Sequence, residues 1–302
     1  MTTKEQLPGW QDLLVEGVLV RITHPDKVLY PDTGTTKADV ARYYQQVAPF
    51  LIPWAMNRPA TRKRWVDGVG TESKPGKSFF QKNLGTATPS WVLRRRMHHK
   101  DHDNLYPLVN DIRTLVWLAQ IAALEIHVPQ WTFAEDGVPR NPDRLVLDLD
   151  PGEGAGLAEC AAVSLIARDS LAQRGLDAVP VTSGGKGMHL YAPLDRRRTS
   201  DDAATLAQDL AQSIEHEHPD LVVSRMDRSL RRGKVFIDWS QNWPGKTTVV
   251  PYSLRGRPQP MVAAPRCWEE VIPDALAQLD ANQVLTRIKD GIVPELDTTK
   301  SG

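Results

Sequence analysis

The chain has 302 residues, 41% of them apolar, which is enough for a sizeable core in one large domain or two fused lobes. No apolar run approaches the roughly 20 residues of a bilayer-spanning helix, and no charged-then-apolar secretory pattern is present, so we expect a cytoplasmic protein. Its two cysteines, Cys160 and Cys267, lie far apart, which argues against a disulfide framework or a structural zinc site.

The charge is balanced in total, with 37 basic and 37 acidic residues, but it is unevenly distributed. Residues 58–100 hold eleven Lys or Arg against two acids, and residues 225–257 hold eight against two. Local fields rather than the total charge steer a polyanion, so these segments indicate a nucleic-acid partner. Two solvated loops are the alternative interpretation.

The first half of the chain predicts alternating elements after a loosely attached arm at residues 1–20. A short strand is expected over 21–30, followed by a helix that Thr36 caps and that runs to about residue 48. Residues 53–90 read as loops and short strands. A second helix is predicted over 111–125, with strands at 126–133 and 144–149.

The second half continues the alternation. We predict a helix over 157–174, strands at 178–182 and 188–192 around a glycine-rich turn, and a helix from a Ser200 cap to about 216. The pattern ends with predicted strands at 221–224 and 234–239 and a predicted helical segment over about 267–290. The interleaving predicts an α/β or α+β fold with mixed sheets.

Two acids end the apolar run at residues 144–150. Strand side chains repeat every two residues, so Asp148 and Asp150 leave one face while Leu147 and Leu149 pack behind them. Two adjacent carboxylates repel unless one is protonated or a cation lies between them, and hard divalent cations take such oxygens. Chance occurrence of Asp-x-Asp is the alternative.

A third acid, Asp238, ends the apolar run Val235–Ile237 in the same way. If its strand neighbours that of Asp148 and Asp150, the three carboxylates could hold two divalent ions about 3.5–4 Å apart, the arrangement used for in-line displacement at phosphorus.

A glycine-rich turn, Ser183-Gly-Gly-Lys-Gly-Met-His189, is expected between two strands. Its glycines allow backbone N–H groups to approach an anion, with Lys186 as a point charge, Ser183 as a donor and His189 on the following strand. The turn suits a triphosphate but lacks the spacing of a Walker A motif. A lone strand histidine is more often structural.

Arginines flank Asp238, with Arg231 before it and Arg255 after it. Guanidinium groups bind phosphate oxygens with two-point geometry, which suits a triphosphate beside metal ions. For His127, which begins His-Val-Pro-Gln-Trp, core and site interpretations both stay open.

A basic segment mixed with aromatic residues lies at 58–82. Aromatic rings among cations suit stacking on bases while the cations follow the nucleic-acid backbone. The candidates are Arg62, Lys63, Arg64, Phe79 and Phe80. Phe79 and Phe80 could equally be a buried pair.

Several ordered motifs together resemble the polymerase domain of bacterial DNA ligase D, a member of the archaeo-eukaryotic primase superfamily. They are Asp-Lys-Val-Leu-Tyr-Pro at 26, Arg-Pro-Ala-Thr-Arg-Lys-Arg-Trp at 58, His-Val-Pro-Gln-Trp at 127, Asp-Leu-Asp-Pro-Gly-Glu-Gly at 148, Thr-Ser-Gly-Gly-Lys-Gly-Met-His-Leu-Tyr at 182, Lys-Val-Phe-Ile-Asp-Trp-Ser-Gln at 234 and Pro-Tyr-Ser-Leu-Arg-Gly-Arg at 251. The resemblance spans about residues 21–288. It implies one primase-polymerase catalytic domain over 21–302, made of two interwoven lobes with the active cleft between their sheets.

The resemblance also implies roles for matching residues. Asp148, Asp150 and Asp238 would hold Mn²⁺ or Mg²⁺. The nucleoside triphosphate would be lined by His127, Ser183, Lys186, His189, Arg231, Gln241 and Arg255. Lys27 and Lys37 match the pair that holds a DNA 5′-phosphate, and Phe79 and Phe80 match the aromatics beside the template base.

The implied activity is template-directed nucleotidyl transfer that fills gaps and extends DNA ends in non-homologous end joining, favouring ribonucleotides. The implied setting is the bacterial nucleoid, with a Ku-like end-binding protein and a DNA ligase as partners and no membrane. The loop at 66–78 looks longer and richer in lysine than is usual in end-joining enzymes, and the zinc element of replicative primases is missing. A stand-alone gap-filling polymerase in excision repair, a metal-dependent phosphohydrolase and a non-catalytic DNA-end-binding module are the alternatives.

Overall fold

The computed structural model describes residues 9–296, which form a mixed α/β protein, so the predicted fold class is confirmed. Its helices are α1 (Lys37–Ala55), α2 (Ile112–Gln120), α3 (Leu157–Ala172), α4 (Ser200–Glu217) and α5 (Ala281–Lys289). The strands are β1 (Trp10–Val15), β2 (Val18–Thr23), β3 (Val28–Tyr30), β4 (Thr35–Thr36), β5 (Thr61–Arg64), β6 (Phe79–Gln81), β7 (Arg94–His98), β8 (Asp103–Pro107), β9 (Ala123–Val128), β10 (Arg144–Pro151), β11 (Val179–Thr182), β12 (Met188–Pro193), β13 (Val222–Val223), β14 (Val235–Asp238), β15 (Thr248–Val249), β16 (Met261–Val262), β17 (Ala264–Pro265) and β18 (Leu279–Asp280). Of the helices within residues 9–296, none has the length and apolar character needed to cross a bilayer.

Local signals place the starts of the first two helices. The Thr36 side chain accepts from the Asp39 N–H while Asp39 accepts from the Thr36 N–H, so the predicted cap of α1 is confirmed as a reciprocal pair. Asp111 caps α2 by accepting from the Thr114 N–H at 2.7 Å. This helix ends earlier than predicted because Ala122 has a positive φ of 54° and the chain turns into β9.

Two terminal predictions are wrong where the structure describes them. Residues 10–20 are not a loose arm, because β1 and β2 pair as an antiparallel hairpin that buries Val15, Val20 and Ile22 in the core; residues 1–8 of the predicted arm lie outside the described residues. Residues 267–290 are not one helix either. Only a short turn at Trp268–Glu270 and α5 are helical, and Pro273, which has no N–H to donate, lies between them.

A six-stranded sheet in the order β13-β14-β10-β12-β11-β17 carries most of the second half of the chain. On β10, Leu145, Leu147 and Leu149 pack against α3 and α4, while Val146 on the opposite face joins the core shared with α1 and α2. That core also covers a four-stranded sheet in the order β15-β9-β5-β6. The even-numbered residues of β10 therefore face the four-stranded sheet.

Asn242 fixes the turn after β14 against β10. Its side chain accepts from the Val146 N–H at 2.8 Å and donates to the Val146 carbonyl at 2.7 Å. The buried amide thus makes the two main-chain hydrogen bonds that a neighbouring strand would otherwise make with Val146. This contact holds the chain after Asp238 next to the strand that carries Asp148.

Candidate active site

The three predicted acids meet on one face of the six-stranded sheet. Asp148 lies opposite Asp238 in the β10–β14 pairing and opposite His189 in the β10–β12 pairing, which confirms that the two acid-bearing strands are neighbours. Asp150 follows two residues along the same face. His189 Nε2 lies 3.3 Å from the Asp148 Oδ1, so the histidine is part of the same cluster.

Gln241 bridges the two directly paired acids. Its amide Nε2 donates to Asp238 Oδ2 at 2.9 Å and to Asp148 Oδ2 at 3.5 Å. The other oxygen of Asp238 accepts from the Ser240 N–H at 3.0 Å and from its hydroxyl at 2.6 Å. The carboxylate of Asp238 is thus oriented by the short turn that follows its own strand.

The electrostatics of the cluster favour a cation. Desolvation and the charge of Asp148 raise the pKa of Asp150 to about 6, with Asp238 adding to the effect and His189 and Arg231 opposing it. Within residues 9–296, no group of three or more His, Cys, Asp or Glu side chains is arranged closely enough to hold a metal ion as the structure stands. The donor set itself, hard carboxylate oxygens that crowd one another, fits divalent ions.

The turn that begins at Ser183 packs closely on β10. A Cβ at Gly187 would stand 2.0 Å from the Leu149 carbonyl oxygen, so only glycine fits. The expectation that the N–H groups of this turn are free for an anion is wrong for two of them. The Gly184 N–H donates to Gln278 at 2.7 Å and the Gly185 N–H to the Ser183 hydroxyl at 3.2 Å, while Lys186 is exposed.

Glu125 organises the other wall of the cleft and was not predicted. It is 3% exposed, lies 3.3 Å from Arg255 Nε, and accepts from His127 Nε2 at 2.9 Å and from the Gly256 N–H at 3.0 Å. Arg255 also donates to the Ser183 carbonyl. The signal in the sequence was a single acid within the apolar strand Ala123–Val128. A glutamate is rarely buried in such a strand unless cationic or hydrogen-bonding groups pair with it.

Local contacts set the state of two members of the predicted nucleotide wall, His127 and Arg231. Desolvation lowers the pKa of the half-buried His127 although Glu125 opposes the shift, so the neutral imidazole is favoured. Arg231 lies over the Phe236 ring at 3.6 Å and donates to the Met226 carbonyl at 2.9 Å. The charge of Arg231 lowers the pKa of Asp150, so this arginine lies near the acid cluster.

The β5–β6 ribbon separates the predicted DNA-contacting residues between two faces. Lys63 pairs with Phe80, whose ring lies 5.4 Å from the His127 ring, whereas Arg64 pairs with Phe79 on the opposite face. The two phenylalanines are 47% and 57% exposed, so the buried-pair alternative is wrong. Arg62 is only 1% exposed, which corrects its expected place on an accessible DNA-backbone surface, because strand alternation turns it inward.

Lys27 and Lys37 lie together at the start of α1. The Lys37 N–H donates to the Lys27 carbonyl at 2.9 Å, and the two ammonium groups donate to Asp67 at 3.1 Å and to the Thr23 carbonyl at 2.9 Å, respectively. Burial and the charge of Lys27 lower the pKa of Lys37. Asp67 comes from the lysine-rich loop at 66–78, which packs on β3 through the Val69 N–H.

Comparison with protein families gives one match over most of the chain. The model of the LigD primase-polymerase domain matches residues 36–294. Among curated proteins, the multifunctional non-homologous end joining DNA repair protein LigD of Mycobacterium tuberculosis is 51% identical over 278 residues, which are 90% of this chain and 36% of that protein. The corresponding protein of Mycolicibacterium smegmatis is 47% identical over 271 residues, 90% of this chain and 35% of that protein.

A solved structure agrees with these matches. The polymerase domain from Mycobacterium tuberculosis Ligase D in complex with DNA superposes with a TM-score of 0.86 at 50% identity, covering 90% of this chain and 95% of that one. The chain therefore spans nearly all of a solved polymerase domain but little more than a third of the mycobacterial relatives.

Proposed function

The chain belongs to the LigD primase-polymerase domain family, and from this premise we propose that it is a template-directed nucleotidyltransferase. A primer 3′-hydroxyl attacks the α-phosphate of a nucleoside triphosphate, and pyrophosphate leaves. The observation that carries the proposal is the direct pairing of Asp148 with Asp238 across neighbouring strands, with Asp150 on the same face.

Asp148, Asp150 and Asp238 are the residues that would hold Mn²⁺ or Mg²⁺. Two such ions supply activation of the attacking hydroxyl and neutralisation of the leaving pyrophosphate. Gln241 and Ser240 hold Asp238 in place, and Gln241 keeps it beside Asp148.

The nucleotide lies between the two sheets in this proposal. Ser183, Lys186, His189 and Arg231 face it from the six-stranded side, and His127 and Arg255 face it from the other. Arg255 contacts both the Ser183 turn and Glu125, so its guanidinium is already held in position before a triphosphate binds. A neutral His127, whose Nε2–H is donated to Glu125, adds no charge that Arg255 would repel.

The DNA substrate is a gap or a broken end with a 5′-phosphate. Lys27 and Lys37 supply the cations for that phosphate, and Phe79, Phe80 and Lys63 line the path of the template. The relatives named for non-homologous end joining support a role in that pathway on chromosomal DNA, with a DNA ligase and a Ku-like end-binding protein as partners. Preference for ribonucleotides is part of the same proposal.

Primer extension tests the proposed function. The protein is incubated with Mn²⁺, a nucleoside triphosphate and a gapped duplex with a 5′-phosphate, with ribo- and deoxyribonucleotides in parallel. Asp148→Ala and Asp238→Asn should abolish extension, whereas Asp209→Asn, an exposed acid on α4, should not. Undiminished extension by the Asp148 variant, or DNA binding with no extension by the unaltered protein, would refute it. Release of phosphate without extension would instead identify a phosphohydrolase.

A further inference from the structure

The Ser183 turn, residues 183–187, is closed by a side chain from much later in the chain. Gln278 Oε1 accepts from the Gly184 N–H at 2.7 Å, and Gln278 Nε2 donates to the Gly187 carbonyl at 2.9 Å. One amide thus joins the two ends of the turn from 91 residues beyond Gly187. Neither the motifs of the sequence nor the proposed function assigns a role to this glutamine.

The main chain around Gln278 is fixed on both sides. The carbonyl of the preceding residue accepts from Arg266 Nη1 at 2.8 Å, and the following residue, Leu279, pairs with Val262 between β18 and β16. Val262 also lies directly behind the turn, because a Cβ at Gly184 would stand 2.7 Å from its carbonyl oxygen. Gln278 is therefore held in place before it makes its two bonds, which reduces their cost in conformational entropy.

The hydrogen bonds of the turn decide which of its groups remain for an anion. The Gly184 N–H is occupied by the glutamine, and the Gly185 N–H by the Ser183 hydroxyl. In the described part of the chain, the N–H groups of Lys186 and Gly187 have no acceptor. Gly187 is buried, where an N–H is rarely left unpaired, and successive free N–H groups beside a lysine suit an anion.

The position of the turn identifies the class of anion. Gly187 lies against the carbonyl of Leu149, the residue between Asp148 and Asp150. A free anion here would be repelled by the two carboxylates, whereas an anion that carries divalent cations would be attracted from both sides. A polyphosphate chain is such an anion, because its own oxygens bind divalent cations.

We propose that Gln278 is a positioning residue for the phosphate chain of the substrate. By occupying the Gly184 N–H and the Gly187 carbonyl, it holds the turn in the form that presents the Lys186 and Gly187 N–H groups to a metal-bound polyphosphate. The identification of that polyphosphate as a nucleoside triphosphate rests on the proposed function, whereas the hold on the turn rests on the two bonds of Gln278.

Binding of inorganic tripolyphosphate and of ATP, each with Mg²⁺ and without DNA, tests the proposal by calorimetry. Gln278→Met keeps the length of the side chain but removes both bonds, and it should raise the Kd of both ligands by about tenfold, the size of one or two lost hydrogen bonds. Gln278→Glu keeps an acceptor for Gly184 but turns an oxygen towards the Gly187 carbonyl, so it should weaken binding at least as much. Gln259→Met, at an exposed glutamine, should leave both Kd values unchanged.

Primer extension separates positioning from a merely structural role. If Gln278 positions the turn, Gln278→Met should raise the KM for the nucleotide by the same factor as the Kd and leave kcat at saturating nucleotide unchanged. Partial unfolding would instead lower kcat and the melting temperature and leave KM unchanged.

Three results would overturn the proposal. One is a Kd for tripolyphosphate within about twofold of the unaltered protein in both Gln278 variants. Another is a lower kcat at an unchanged KM, and the third is an unaltered protein that does not bind tripolyphosphate. Because the calorimetry contains no primer, a protein that binds tripolyphosphate with the expected dependence on Gln278 but extends no DNA would refute the proposed function alone.

Discussion

Replacing Glu125 by glutamine should destabilise the protein more than any other conservative change at the cleft. The variant keeps the shape of the side chain but removes the charge that faces Arg255 and one of the two carboxylate oxygens, which accept separately from the Gly256 N–H and from His127 Nε2. Breaking a buried pair by removing one partner costs roughly 3–5 kcal/mol. Because the amide still offers one acceptor, we expect about 3 kcal/mol, or a melting temperature lower by about 5 °C in a chain of this size.

Urea denaturation followed by tryptophan fluorescence measures this difference, with the exposed Glu72→Gln as the control. A loss of less than about 1 kcal/mol would show that the Glu125 pair is not a net stabilising contact and would refute the reasoning.

The pH dependence of stability gives an independent check on Glu125. The bond from His127 and the charge of Arg255 hold the pKa of Glu125 well below the ordinary 4.5 although desolvation opposes them, so its stabilisation is fully present above 4.5 and is lost progressively as the pH falls below that value. His127, with a pKa lowered from 6.5 by burial, makes the folded state less stable as the pH falls through 6.5. Glu125→Gln should therefore keep the decline near pH 6.5 and lose that near pH 4.5. Equal slopes near pH 4.5 in both proteins would contradict the assignment.

Three further predictions concern packing and DNA ends. Asn242→Ala should lower the free energy of unfolding by about 3 kcal/mol, measured in urea, because two main-chain groups of β10 lose their partner. Gly187→Ala should be destabilised by at least about 2 kcal/mol in the same assay, because its Cβ would stand 2.0 Å from a β10 carbonyl oxygen. Gly245→Ala, whose Cβ would have no atom within 4 Å, should keep the stability of the unaltered protein. Similar values for the two variants would disprove the close fit. Replacing Lys27 and Lys37 by alanine should remove the preference for 5′-phosphorylated over 5′-hydroxyl gaps in a binding assay, and an undiminished preference would place the phosphate elsewhere.

The sequence predicted the acid cluster because strand periodicity is a strong local rule. Alternation in Arg144–Asp150 places Leu147 and Leu149 behind the sheet and both acids in front, and the same logic places Asp238. The neighbouring position of the two strands could be inferred only from the chemistry that three acids would perform.

The errors have different physical causes, and only one of them is a contact that is distant in sequence. Arg62 was assigned to an accessible surface from composition, although alternation within Thr61–Arg64 gives it and Lys63 opposite faces. Glu125 was assigned to the end of a helix, so its role as the partner of Arg255, 130 residues away, had no local signal. The hairpin at 10–23 was missed because Leu14 and Leu19 are exposed, which obscures the alternation that buries Val15 and Val20.

The position of Arg255 has a consequence for how the cleft responds to its ligand. One guanidinium joins the Ser183 turn of the six-stranded sheet to Glu125 of the four-stranded sheet. In the proposed function, a triphosphate that recruits Arg255 would compete with Glu125 for its guanidinium. Nucleotide binding and the attachment of the two sheets would then be thermodynamically linked, and each would alter the other by an equal free energy. Affinity for the nucleotide and rigidity of the cleft therefore cannot be adjusted separately through this residue.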